Sequence, residues 1–326
     1  MDTGTHRTAV LLLNMGGPDS LESVQPFLRN LFSDPAIISI PALLRRPLAA
    51  FLSARRASKV RPRYELIGGS SPIGPITSDQ AKAVEESLGS LFGPVLPAFS
   101  YWHPFIAEAI EKASMSGAGS MVALSLYPQY CQATTGTCLE DLSMNLPGTP
   151  FENSTHVIDS WATHPSYLDA LAGTVKETIE RIPETARDDC VILFSAHGIP
   201  ESLVKNGDPY LEHTLATIDG VMERLEDREH QIAFQSRLGP VKWLQPSLPD
   251  KLLELSKRGA PPLVIVPVSF VSDHIETLYE LDIQHLEIAR NLGFTVYERA
   301  PALNTRPDFI AALAELVRSS QSQVSG

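Results

Sequence analysis

His197 stands three residues past the apolar run 191–194, and three carboxylates, Asp273, Glu276 and Glu280, follow the run 263–268 at spacings of three and four. On a regular helix those spacings set the three acids along one side at adjacent turns. Ile275, Leu278, Leu286 and Ala289 then fall on the opposite side, the side expected to pack on the body. A cleft holding three carboxylates and an imidazole would attract a divalent cation and accept protons. Imidazole with carboxylate suits Fe(II), Zn or Ni better than Ca or Mg. The competing reading of the same spacing is a solvated acidic face. His274 lies about 100° from Asp273 on such a helix and reads as a supporting or packing residue. His103, His156, His164, His213, His230 and His285 lack metal-ligand spacing. No GxGxxG follows a strand, and there is no GxxxxGK[ST], HExxH or GxSxG, so dinucleotide, P-loop, zincin and esterase chemistries lose their usual support.

These groups need a scaffold that brings strand ends together. The 326 residues, 43% apolar and 20% charged, suffice for two domains with real cores. Short apolar runs at 9–13, 121–126, 191–194 and 263–268 read as buried parallel strands. Weaker runs at 95–99, 156–158, 231–234 and 295–297 add one more pair to each half. Amphipathic stretches at 78–92, 166–182, 209–225 and 276–292 alternate with them, which predicts an α/β protein. The segment AVLLLNMGGP at 9–18 parallels VILFSAHGIP at 191–200, so two similar doubly wound, Rossmann-like domains with parallel four-stranded sheets and a cleft between them are expected. The boundary is placed at 155/156, with a last helix near 307–318 returning to the first domain. Ligands of such sheets sit beyond the carboxyl ends of the strands.

A net charge of −12 and a pI near 5.2 argue against nucleic-acid binding. The three cysteines, Cys131, Cys138 and Cys190, form no CxxC, so neither a disulfide framework nor a four-thiolate centre is expected, and a reducing, cytoplasmic setting follows. No stretch approaches the roughly 18 apolar residues of a membrane span. Residues 35–64 reverse the charge balance, with Arg45, Arg46, Arg55, Arg56, Lys59, Arg61 and Arg63 and no acid among many apolar side chains. Three readings stand together: an interfacial lip on an anionic membrane, a lip gripping a ligand's carboxylates, and a surface helix pair packed on an acidic body.

The blocks LLLNMGGPDSLESVQPFL, IGGSSPI, YPQYCQATTG, LFSAHGIPESLVKNGDPY, QSRLGPVKWLQPS and FVSDHIETLYELDI, in this order, make the chain resemble the ferrochelatases over about residues 8–318. The resemblance implies a lyase that inserts Fe(II) into protoporphyrin IX to give protohaem, the last step of haem formation, with coproporphyrin III as the alternative substrate. It puts the metal-site histidine on His197 and the glutamate on Glu276. Asp273 and Glu280 fall on the family's proton or metal path, a helix that often contains a wide π-turn. Met15 falls over the opposite porphyrin face; Tyr64, Tyr127 and Trp243 line the macrocycle pocket; Arg56, Lys59, Ser71, Gln235 and Ser236 match residues that meet propionates. Ser100 stands where animal members have a pocket arginine, and Gln132 stands at a cluster-cysteine position. No iron–sulfur cluster and no tightly bound cofactor is therefore expected, with porphyrin and ferrous iron as substrates. Methionine rather than tyrosine at Met15 favours protoporphyrin. A cobalt or nickel chelatase and a non-catalytic haem carrier are the rival functions; the apolar lip speaks against the first and the acidic row against the second.

Overall fold

The computed structural model describes residues 7–38, 40–225, 227–236 and 241–322. The chain divides into two compact units, one built from the residues up to Trp161 together with those from Pro307 onward, the other from Ala162–Arg306. In chain order the first carries β1 (Thr8–Asn14), α1 (Val24–Ser33), α2 (Ala42–Glu65), α3 (Ile73–Leu88), β2 (Phe92–Phe99), α4 (Ile106–Met115), β3 (Ser120–Ser125), a π-turn Gln132–Gly136 running into α5 (Thr137–Asn145), and β4 (Thr155–Ile158). The second carries α6 (Pro165–Arg181), β5 (Val191–His197), α7 (Glu201–Lys205), α8 (Tyr210–Met222), β6 (His230–Gln235), α9 (Leu248–Ser256), β7 (Leu263–Pro267), a π-helix Glu276–His285, α10 (Leu286–Asn291) and β8 (Tyr297–Arg299). The last helix, α11 (Pro307–Ser322), belongs to the first unit and packs on α3.

Both sheets are wholly parallel, and the order β2-β1-β3-β4 recurs as β6-β5-β7-β8. The repeat of topology matches the sequence parallel between 9–18 and 191–200. All seven residues of β1 are buried, as a continuous apolar run in a central strand covered on both faces should be. Pro94 and Pro97 sit in β2, an edge strand, where a missing N–H disturbs no second ladder. In the second unit Val191, Leu193, Leu263 and Ile265 meet Leu252 and Leu255 of α9 and Leu281 of the π-helix in one core. Each sheet reverses its strand order at its central strands, β1 beside β3 and β5 beside β7, the switch point where parallel sheets present ligands.

Residues 42–65 form one helix rather than a pair. Its buried face is built from Ala49, Ser53, Ala57, Val60 and Tyr64, at spacings of three and four. Leu43, Leu44 and Phe51 stay well exposed on it. Among the described residues no helix is long and apolar enough to cross a membrane.

Candidate active site

β5 ends on His197, and the polar groups around it belong to the same unit. The backbone N–H of His197 donates to Ser269 Oγ at 3.1 Å, just beyond β7, and Tyr210 Oη donates to the His197 carbonyl at 2.9 Å. The imidazole is thus fixed from both sides of its backbone. Its Nδ1 lies 2.8 Å from Glu276 Oε2, with the two side chains 34% and 19% exposed. An ionised carboxylate only accepts, so Nδ1 carries the proton and Nε2 is the nitrogen left for chemistry. Burial disfavours the imidazolium, but the charge and hydrogen bond of Glu276, with Glu280 behind, outweigh it and raise the His197 pKa above its usual value. Burial likewise opposes ionisation of Glu276, yet His197 and the Ser236 hydrogen bond hold that carboxyl well below the ordinary range. Both shifts describe one coupled pair, a carboxylate that stays ionised beside an imidazole that accepts a proton more readily than usual.

Ser236, at the end of β6, takes a positive φ of 62° and places its Oγ 2.8 Å from Glu276 Oε2 and 2.5 Å from Glu280 Oε2. A hydroxyl has one proton to give, so Ser236 donates to one of the two carboxylates at a time. Gln235 supports the group: its Nε2 donates to the Glu276 carbonyl at 3.2 Å, and its Oε1 accepts from Ser195 Oγ at 2.6 Å. His197, Gln235, Ser236, Glu276 and Glu280 therefore form one connected set. Among the described residues no three His, Cys, Asp or Glu side chains converge as a ready cation cage. A pair able to hand over protons and offer one carboxylate is what the strand ends assemble.

The helix that carries the acids is not regular. Its buried positions are Thr277, Leu281 and His285, continued by Ala289 on α10, a period of four instead of 3.6. Of the four positions expected on the packing side, Ile275, Leu278 and Leu286 are only partly buried and Ala289 alone is fully so. The wide turns rotate the burial pattern away from the one a 3.6-residue period predicts. Asp273 lies just ahead of the helix. Its carboxylate accepts from Thr277 Oγ1 at 2.9 Å and Asn304 Nδ2 at 2.8 Å, and it pairs with Arg299 Nη1 at 3.2 Å. His274 packs its ring on Phe270 with centroids 4.3 Å apart and, among the described residues, has no side-chain hydrogen-bond partner at either nitrogen. Burial lowers its pKa against the pull of Glu276 and Asp273, so it sits neutral.

In the first unit the corresponding strand ends carry Met15 and Tyr127. The Met15 N–H donates to Tyr127 Oη at 3.2 Å and to Asn14 Oδ1 at 2.7 Å, bringing those two expected pocket residues together. Ser71 is buried and its N–H donates to Pro18 O at 2.7 Å, against Gly17. Arg56 and Lys59 lie on α2 with Tyr64, which is buried. Trp243 bridges back to Pro200, beside the loop that leaves His197; residues 237–240 of the same sequence block lie outside the described residues. Ser100, at the position of the absent arginine, contacts Cys138 Sγ at 3.2 Å. Sequence reasoning assigned no role to Ser195, Tyr210, Ser269, Tyr297, Arg299 and Asn304. Ser195 and Ser269 had a signal, their place immediately after strong apolar runs.

A family model described as Ferrochelatase matches residues 7–321. The chain belongs to the ferrochelatase family. A ferrochelatase of Geotalea daltonii is 46% identical over 320 residues, covering 98% of this chain and 99% of that protein. One of Aquifex aeolicus is 41% identical over 314 residues, covering 96% and 99%. Among solved structures, SirB from Bacillus subtilis with Fe3+ shares the fold at a TM-score of 0.60 and 13% identity, covering 98% of each chain. The ferrochelatase reading makes the chain a metal chelatase, an enzyme of the lyase class acting on a porphyrin and a metal ion.

Proposed function

We propose that this ferrochelatase inserts Fe(II) into protoporphyrin IX to give protohaem. The observation that carries the reading is the His197–Glu276 pair at the end of β5, joined through Ser236 to Glu280. A free-base porphyrin holds two N–H protons in its plane, so metal entry needs the nitrogens tilted out and both protons removed. Apolar walls that hold the macrocycle saddled would use remote binding energy to distort it. His197, with Nδ1 committed to Glu276, takes a proton at Nε2, and the carboxylate stabilises the imidazolium that results. Glu276 serves as the metal or relay ligand. Glu280 receives protons through Ser236, and Asp273 serves the same path. Met15, Tyr64, Tyr127 and Trp243 line the macrocycle, and Arg56, Lys59, Ser71, Gln235 and Ser236 meet its propionates.

The enzyme works with no resident cofactor in this reading. Its three cysteines form no CxxC motif, which supports assigning none of them to a four-thiolate cluster. Its setting is cytoplasmic, and exposed Leu43, Leu44 and Phe51 beside the α2 arginines support a peripheral contact with an anionic inner-membrane surface. The test is an anaerobic spectral assay with Fe(II), or Zn(II) in its place, on protoporphyrin IX and coproporphyrin III side by side. Multiple turnovers, faster on protoporphyrin, support the proposal. Faster turnover of coproporphyrin reassigns the substrate, and stoichiometric binding without turnover makes the protein a carrier.

A further inference from the structure

The π-helix is the least probable piece of backbone in the second unit. Its i→i+5 turns are rare and usually last a single turn, whereas this one runs for ten residues. Something must hold it against reverting to α-helix, and the groups that touch it identify the restraint. β8 is three residues long, pairs in register with β7, and points alternate side chains to one face, so Tyr297 and Arg299 leave it together. Tyr297 Oη donates to the Leu281 carbonyl at 3.0 Å, in the middle of the helix. Arg299 grips Asp282 through Nε at 2.6 Å and Nη2 at 2.8 Å, and reaches Asp273 through Nη1 at 3.2 Å. A second carbonyl contact closes the far end, where His285 Nδ1 donates to Glu280 O at 2.6 Å.

Arg299 reaches both aspartates: Asp273 just ahead of the helix, and Asp282, nine positions on and within it. The guanidinium so ties the entry of the helix to its middle. One guanidinium, 12% exposed, then holds both ends in a fork that a single point charge cannot reproduce.

We infer that Arg299 and Tyr297 are positioning residues that hold the wide register of the π-helix and thereby set where Glu276 and Glu280 stand relative to His197 and Ser236. Asp273 and Asp282 are the anchor points on the helix side. The inference rests on the chelatase reading of that acid row. Loss of these anchors would shift the helix, and Glu280 with it, relative to Ser236, and displacements of about 1 Å at reacting groups can cost on the order of a hundredfold in rate.

The experiment compares the full chain with Tyr297→Phe, Arg299→Lys and Asp282→Asn by two readouts. One is amide hydrogen exchange of residues 276–285, with β5 and β7 as internal references. The other is kcat and KM for protoporphyrin IX with Zn(II). Arg299→Lys and Asp282→Asn should each lower kcat tenfold or more, keep the porphyrin KM within twofold, and speed exchange in 276–285 while leaving the reference strands protected. The double variant should be no worse than the more impaired single one, since both break one fork. Tyr297→Phe removes one hydroxyl and serves as the decisive variant should the others fail to fold; it should speed exchange in the same segment and lower kcat several-fold. Unchanged exchange in 276–285, or kcat within twofold of wild type in both Arg299→Lys and Asp282→Asn, overturns the inference. A wild-type chain that shows no turnover, with the exchange pattern as expected, removes the chelatase reading and leaves the clamp standing.

Discussion

With Nδ1 of His197 bound to Glu276, the basicity of the imidazole is set by its neighbour's charge. Glu276→Gln keeps the shape and the acceptor but removes that charge, so the His197 pKa should fall, which NMR titration of the ring protons reads. Insertion should be lost for every divalent metal tried; a change of metal preference alone would make Glu276 a selectivity residue. His197→Ala should abolish turnover and leave porphyrin binding largely intact, since apolar walls supply most of the affinity. Retention of more than about a tenth of turnover, worth about 1.4 kcal/mol of barrier, would end its role as principal base. A different carboxyl governs stability. On α5, burial pushes Asp141 up to about 6, opposed by a hydrogen bond from Ser100 and reinforced by the charges of Asp34 and Glu140. A raised carboxyl binds its proton more tightly in the folded state, so the native state loses stability as pH rises from about 4 to about 6 and stays lower above that. Asp141→Asn should therefore stabilise at pH 7.5, on the order of 1–2 kcal/mol after allowance for partial exposure, and change little at pH 4. Thermal melts at the two pH values check the sign; a loss at pH 7.5 would show that the carboxylate is needed.

The loop between α2 and α3 is held to the loop after β1 by an approach that only glycine permits. A Cβ at Gly17 would stand 2.5 Å from Ser71 Oγ and 2.6 Å from its Cβ. Gly17→Ala should force Ser71 away and stretch its bond to Pro18, at about 1–3 kcal/mol, and a melting temperature equal to wild type would show that the loop yields freely. Elements of this kind were partly legible in the sequence. The central strands were plain because a parallel sheet covered on both faces needs unbroken apolar runs, and β1 and β5 are such runs. α3 was harder: it was expected over 78–92 but spans Ile73–Leu88, because Pro75 is tolerated in a first turn and Gly89, at a φ of 77°, ends the helix before β2 begins. At the site, the residues matched by family blocks, His197, Glu276 and Glu280, do gather. Tyr297, Arg299 and Asn304 were illegible, since they reach the helix through pairings no local period encodes. The wide turns were implied only by the resemblance, because a 3.6-residue period aligns Glu276 with Glu280 equally well.

Across the whole molecule, charge is distributed against the net. The chain carries −12, while α2 bears its basic residues among exposed Leu43, Leu44 and Phe51. Replacing Arg45, Arg46, Arg55 and Arg56 by Gln should weaken co-sedimentation with anionic vesicles, each lost charge costing on the order of 1 kcal/mol at low salt. Neutral vesicles should bind neither form, and absence of wild-type binding to anionic vesicles at low salt would remove the membrane contact. The placement of α11 has a consequence of another kind. Phe309, Ala312, Leu313 and Val317 are buried parts of the first unit, although they come after the entire second unit in sequence. Domains usually complete in the order in which they leave the ribosome, at about 5–20 residues per second. Here the middle of the chain, 162–306, is contiguous and can close first, while the amino-terminal sheet waits for α11 to emerge. For those seconds the part of α3 that α11 covers lies bare, which makes the nascent first unit, rather than the finished enzyme, the form a chaperone would meet.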